Sequence, residues 1–158
     1  MRIGIVSPSK LKNEKLVSKV AEMLKDYEVV LTPDKGSVSE YFAQEYLKLG
    51  GKKVIEIVPL DDKEFGYSWI NLDFGENINC STWRNQPEKL NEECDVLVCL
   101  GYSTGGLIEI CYSKWFNKKS VYILKEFIDV GLPKELEASL DLNYIGIDEL
   151  QGILKNEK

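Results

Sequence analysis

The stretch Cys94-Asp95-Val96-Leu97-Val98-Cys99-Leu100, followed by Gly101-Tyr102-Ser103-Thr104-Gly105-Gly106 and by Leu107-Ile108-Glu109, decides how the chain is read. It starts as an apolar run, passes through a turn holding three glycines, and opens a segment whose apolar residues follow helical spacing. A buried strand, a tight turn and a helix start together leave backbone N–H groups pointing at an anion. Gly101, Gly105 and Gly106 contribute amides to such a turn, Ser103 and Thr104 contribute hydroxyls, and Glu109 lies one helical turn further on. The same pattern also suits a plain strand-to-helix connection, with Glu109 placed by the helix dipole.

Outward from this stretch the alternation recurs. Arg2 to Ser7 is an apolar run ending in Pro8-Ser9-Lys10, and Leu16, Val17, Val20, Ala21 and Leu24 follow at helical spacing. Glu28 to Leu31 stops at Thr32-Pro33-Asp34-Lys35-Gly36-Ser37; Val38, Tyr41, Phe42, Tyr46 and Leu49 then form a second helical stripe, closed by Gly50-Gly51. Lys53 to Leu60 reads as a third strand. Pro87 suits the first turn of a short helix, which leaves Arg84 in the loop just ahead of it. Ser120 to Leu124 reads as a strand, Tyr144 to Ile147 as an edge strand, and Asp148 to Leu154 as a closing helix. Residues 1–158 are therefore expected to form one Rossmann-like α/β domain of three layers, with a mostly parallel sheet flanked by helices.

In such sheets ligands bind beyond the carboxyl ends of the strands, where strand order reverses. That brings the loops Ser7 to Lys10 and Thr32 to Ser37 beside Gly101 to Gly106. Ser7, Ser9, Lys35, Gly36 and Ser37 join the candidate phosphate-binding residues, although Lys35 also reads as a plain solvent-exposed side chain. Asp61 to Cys80 has no clear period and reads as a long loop. Its Phe65, Tyr67, Trp69 and Phe74 either line a pocket for a flat ligand or staple the loop down, and stapling is the preferred reading.

Composition narrows the classes of function. The chain is 44% hydrophobic and 29% charged, as ordinary globular proteins are. A net charge of −6 argues against a nucleic-acid duplex as main partner, while leaving room for a site holding one small phosphate. No apolar run reaches the ~18 residues of a membrane span, and the opening Met-Arg-Ile-Gly-Ile-Val reads as a strand, so the expected location is the cytoplasm and no membrane partner is expected. Cys80, Cys94, Cys99 and Cys111 form no C-x-x-C pair and histidine is absent, so no metal site or resident cofactor is expected. Histidine-dependent nucleophilic mechanisms are excluded, and any catalysis falls to carboxylates, Tyr, Lys, Arg or Cys.

Residues 101–109, Gly-Tyr-Ser-Thr-Gly-Gly-Leu-Ile-Glu, resemble a degenerate P-G-G-x-G-T-x-x-E. That is the signature of the LOG (Lonely Guy) and lysine-decarboxylase-like nucleotide-binding family, which includes molybdenum-cofactor-carrier-like proteins. Gly105 and Glu109 coincide with the signature's later glycine and its glutamate. Arg84-Asn85, a short helix, and Cys94-Asp95 before a buried strand resemble the family's arginine, helix, aspartate and strand. Gly50-Gly51 before a strand ending at Pro59 resembles its glycine pair. The likeness runs from Met1 to Leu124. It departs from the pattern where Gly101-Tyr102-Ser103 replaces P-G-G and where Thr32 to Ser37 keeps one glycine.

The resemblance implies a small phosphorylated nucleotide or nucleotide-like ligand, and two readings stay open. In hydrolytic members a nucleoside 5′-monophosphate is split into free base and ribose 5-phosphate. Glu109 would then stabilise oxocarbenium-like charge and orient water, and Arg84 would hold the phosphate or sugar, which makes these two the candidate catalytic pair. The alternative is a non-catalytic nucleotide or molybdenum-cofactor carrier or sensor, the branch to which Arg84-Asn85 is closer. Tyr102 would narrow the approach to the turn or stack on a base. The resemblance also implies a homodimer or higher homo-oligomer, with Tyr112, Trp115 and Phe116 as apolar material for the contact.

Overall fold

In the computed structural model, which describes residues 1–157, apolar runs become the strands β1 (Arg2–Val6), β2 (Glu28–Leu31), β3 (Lys53–Val58), β5 (Val96–Cys99) and β6 (Val121–Leu124). Two further strands, β4 (Glu76–Asn79) and β7 (Leu142–Ile145), form the edges. The sheet has the order β4-β3-β2-β1-β5-β6-β7 and every pairing is parallel. The registers Ile3↔Val96 and Val6↔Cys99 place β1 against β5, and there the strand order reverses.

Helices cover both faces, as parallel sheets require. On one face α1 (Glu14–Leu24), α2 (Val38–Lys48) and α6 (Ile147–Asn156) pack Val17, Leu24, Phe42, Tyr46 and Leu150 against Ile3, Ile5, Val29 and Val98. On the other, α3 (Gln86–Glu93), α4 (Thr104–Tyr112) and α5 (Lys134–Ser139) bring Leu90, Ile110 and Leu136 onto Ile55, Ile57, Leu97 and Ile123. The loops that follow β1 and β5 leave toward opposite faces and open a crevice between them.

Two details differ from the sequence reading. The segment read as an unbroken loop from Asp61 to Cys80 contains β4, whose residues pair with β3 from Ile55↔Glu76 to Val58↔Asn79. Its entry is held by the fully buried Glu56, whose Oε1 accepts from the N–H groups of Phe74 and Gly75, both at 2.8 Å. The last strand begins at Leu142, two residues earlier than its apolar content suggests, because an edge strand tolerates Asn143 beside Asp141. Of the loop aromatics, Phe74 packs onto the core, while Phe65 and Trp69 are exposed.

Candidate functional site

The turn after β5 owes its shape to contacts that only glycine allows. Gly101 has φ +111°, and a Cβ there would lie 2.8 Å from Pro8 Cγ. A Cβ on Gly106 would lie 2.8 Å from Val6 Cγ1. The loop after β5 is thereby pressed onto the loop after β1. Ser103 caps α4: its Oγ accepts from the Gly106 N–H at 3.0 Å and donates to the Ser7 carbonyl at 3.1 Å. Among the described residues, the amides of Thr104 and Gly105 then have no protein acceptor. Gly105 differs from its neighbours, since a Cβ there meets nothing within 4 Å. A second helix start faces the same space: Ser37 caps α2, accepting from the Glu40 N–H at 3.1 Å, and Ser39 shares a 2.6 Å hydrogen bond with Ser7.

These elements enclose a cleft of about 250 Å³ lined by Ser7, Ser9, Ser37, Ser39, Ser103, Gly105 and Gly106 on its donor-rich side. Thr32, Asp34, Trp83, Gln86, Pro87 and Glu109 line its other side. Glu109 is buried, and Gln86 Nε2 donates to its Oε1 at 2.8 Å. The same Nε2 donates to Thr32 Oγ1 at 2.9 Å, and Thr32 in turn donates to the Ile57 carbonyl at 2.7 Å. Burial, with the negative charge of Asp34 nearby, outweighs the Gln86 hydrogen bond and pushes Glu109 up to about 7. Asp34 is raised to about 6 by burial, and its Oδ1 is sealed from solvent without a donor. Trp83 is held by its N–H to Asp62 and its indole N–H to the Gly66 carbonyl, and it stacks on Trp69 with ring centres 5.4 Å apart.

Of the residues singled out in the sequence, Ser7, Ser9, Ser37, Ser103, Gly105, Gly106 and Glu109 come together around the cleft. Arg84 does not line it: its guanidinium pairs with Glu64 at 2.9 Å, on the outer side of the loop that carries Phe65, and both partners are mostly exposed. Lys35 donates to the Ser68 carbonyl at 2.9 Å, and Gly36 supplies a positive φ of 80° for the turn. Tyr102 packs against the core on the α3–α5 side, away from the position that would narrow the cleft. Thr104 is exposed at the helix start and contributes its amide. Asp34, Thr32, Ser39, Trp83 and Gln86 carry no motif. Asp34 and Thr32 lie inside the polar turn already noted, but nothing local announces that Gln86, the first residue of α3, turns inward.

Three solved structures share this fold over nearly their whole length. The molybdenum cofactor binding protein from the phototrophic bacterium Rippkaea orientalis is 16% identical with a TM-score of 0.70, over 98% of this chain and 95% of its own. The molybdenum cofactor carrier protein from Chlamydomonas reinhardtii is 16% identical with a TM-score of 0.71, over 99% and 97%. This chain has the fold of those proteins. The structural-genomics target TM1055, 20% identical with a TM-score of 0.70 over 98% of both chains, has it too. No protein-family model and no curated protein matches the sequence. Among the described residues no helix is long and apolar enough to cross a membrane.

Proposed function

We propose that the chain is a carrier-type binding protein that holds a small phosphorylated nucleotide or a molybdenum-cofactor-type molecule in this cleft and releases it unchanged. The observation that carries the reading is the charge pattern of the cleft. Among the described residues no lysine or arginine lines it, and Arg84 is engaged with Glu64. A phosphate on the α4 start is then held by the Thr104 and Gly105 amides and by serine hydroxyls, and the cleft lacks the arginine that the hydrolytic reading pairs with Glu109. The names of the fold neighbours, molybdenum cofactor binding and carrier proteins, support the same reading. The protein belongs in the cytoplasm on this proposal, where its four unpaired thiols persist.

One observation favours the hydrolytic reading as runner-up: a buried carboxylate titrating at about 7, as Glu109 does, suits general acid–base work at neutral pH. Incubation with AMP, GMP, CMP and UMP separates the two. The carrier reading expects at least one monophosphate to protect the protein thermally while all four stay intact by chromatography. Release of free base from any of them would establish turnover in its place.

We also propose that two copies pair through α4. Ile108 is 45% exposed and Trp115 75% exposed, and with Tyr112 they form one stripe along the helix and the turn after it. Ile108 also lines the cleft, so the contact adjoins the site. Sedimentation should show a dimer for the native chain and a folded monomer for Ile108→Asp combined with Trp115→Asp; a native monomer refutes the pairing.

A further inference from the structure

The lining of the cleft carries two carboxylates, Asp34 and Glu109, and among the described residues no cation. Its volume of about 250 Å³ corresponds to roughly 6 Å on a side, less than the ~8 Å over which physiological salt screens charge. A phosphate seated on the α4 start therefore feels both carboxylates, with no protein cation in the lining to neutralise the sum. The two acids are placed differently. Glu109 Oε1 is held by Gln86 Nε2 at 2.8 Å, and its Oε2, which meets no protein donor among the described residues, is left to the cleft. Asp34 Oδ1 is sealed from solvent. Glu109 is thus the group placed to exchange a proton when an anion enters, and Asp34 is the like charge that favours it. The elements around Glu109 supply nothing to offset this. On α3, Gln86 and Asn91 are neutral amides, and Lys89 pairs with Glu92 and Glu93. The Cys99 thiol of β5, pushed up to about 12 by burial, keeps its proton. On β1, Arg2 stands at the opposite end of the strand and pairs with Glu28 and Glu93. Lys114, after α4, lies over the Trp115 ring. In the turn after β2, Lys35 is exposed and donates to the Ser68 carbonyl, and Glu40 on α2 accepts from the Gly36 N–H and from Asn71.

Resting on the reading that the cleft holds a phosphorylated molecule, we infer that uptake is proton-coupled: the anion enters with one proton from solvent, which forms an O–H bond on Glu109, and the molecule is released as that proton returns to water. Protonation turns Oε2 from a repelling charge into a hydrogen-bond donor facing the cleft. Glu109 already stands at about 7 through burial and the charge of Asp34, so an anion beside it carries it above neutral pH. Binding and protonation then favour each other reciprocally. Affinity falls by up to about tenfold for each pH unit above neutral, so a modest alkaline shift unloads the carrier.

The test titrates AMP, GMP, CMP and UMP into the protein by calorimetry between about pH 7 and pH 8.5, where a phosphate monoester with its second pKa near 6 is already a dianion. Repeating the titration at about pH 7.5 in two buffers of different ionisation heat counts the protons taken up. The native chain should take up more than about half a proton per nucleotide at that pH, and its affinity should fall about tenfold across the range. Glu109→Gln should lose the uptake and keep its affinity level across the range, and Asp34→Asn should show a smaller uptake than the native chain. Circular dichroism checks that both variants fold; if either does not, the buffer comparison on the native chain still decides. Equal heats in the two buffers with an affinity independent of pH overturn the inference while leaving the binding reading intact. Undiminished uptake in folded Glu109→Gln overturns it too, by placing the proton elsewhere. Failure of all four nucleotides to bind at any pH overturns both.

Discussion

Glu109→Gln should raise stability by about 3 kcal/mol at pH 8 and leave it nearly unchanged at pH 4. The carboxylate sits at about 7 in the folded chain because it is buried and faces Asp34, whereas its ordinary value is 4.5. Below pH 4.5 both folded and unfolded chains hold this proton, so the residue contributes no pH dependence. Between 4.5 and 7 the unfolded chain releases it while the folded chain keeps it, so stability falls as pH rises through that window and is level above it. The substituted amide would never ionise and would still accept from Gln86 through its carbonyl oxygen. In a chain of this size the gain at pH 8 corresponds to roughly 6–12 °C in Tm. Urea unfolding at the two pH values measures it, and an equal effect at both would show that burial of charge at this position is not what the substitution relieves.

The cost at Glu109 explains what in the molecule could be read beforehand and what could not. Buried parallel strands must be apolar throughout, so β1, β2, β3, β5 and β6 announce themselves in composition. The edge strand β4 has one neighbour and leaves Glu76, Asn77 and Asn79 exposed, so its residues carry no such mark. What places it is Glu56, reaching from β3 to two amides eighteen and nineteen residues later. The site divides in the same way. Its turn is a local backbone device, legible as Gly101 to Gly106 because the glycines and the capping Ser103 lie within six residues of one another. Its Thr32–Gln86–Glu109 side is not local, since Gln86 meets Thr32 and Glu109 only through the strand order that sets β2, β1 and β5 side by side. Arg84 likewise takes its direction from Glu64, twenty residues upstream, in a segment without periodicity.

Gly101→Ala should lower stability by about 4 kcal/mol, whereas Gly105→Ala, four residues along the same turn, should leave stability unchanged within about 0.5 kcal/mol. At Gly101 a φ of +111° is strained for any residue with a Cβ, and the added methyl group would press into Pro8 and approach the Phe127 carbonyl at 3.3 Å. Neither neighbour yields easily, because one is a rigid ring and the other is backbone. Relief requires the loops after β1 and β5 to separate, which also opens the Ser103-to-Ser7 bond that closes the cleft. At Gly105 the methyl group meets no protein atom and the backbone is helical, so the fold has no reason to object. Yet Gly105 lines the cleft beside an amide that no protein group among the described residues uses, where only a bound anion would need the space. The carrier reading therefore expects Gly105→Ala to lose roughly tenfold or more in affinity for a nucleoside monophosphate at unchanged Tm. Measured together by thermal melting and calorimetry, the two variants separate a glycine kept for packing from one kept for the ligand. Full binding by Gly105→Ala would mean that the anion is seated elsewhere than on the start of α4.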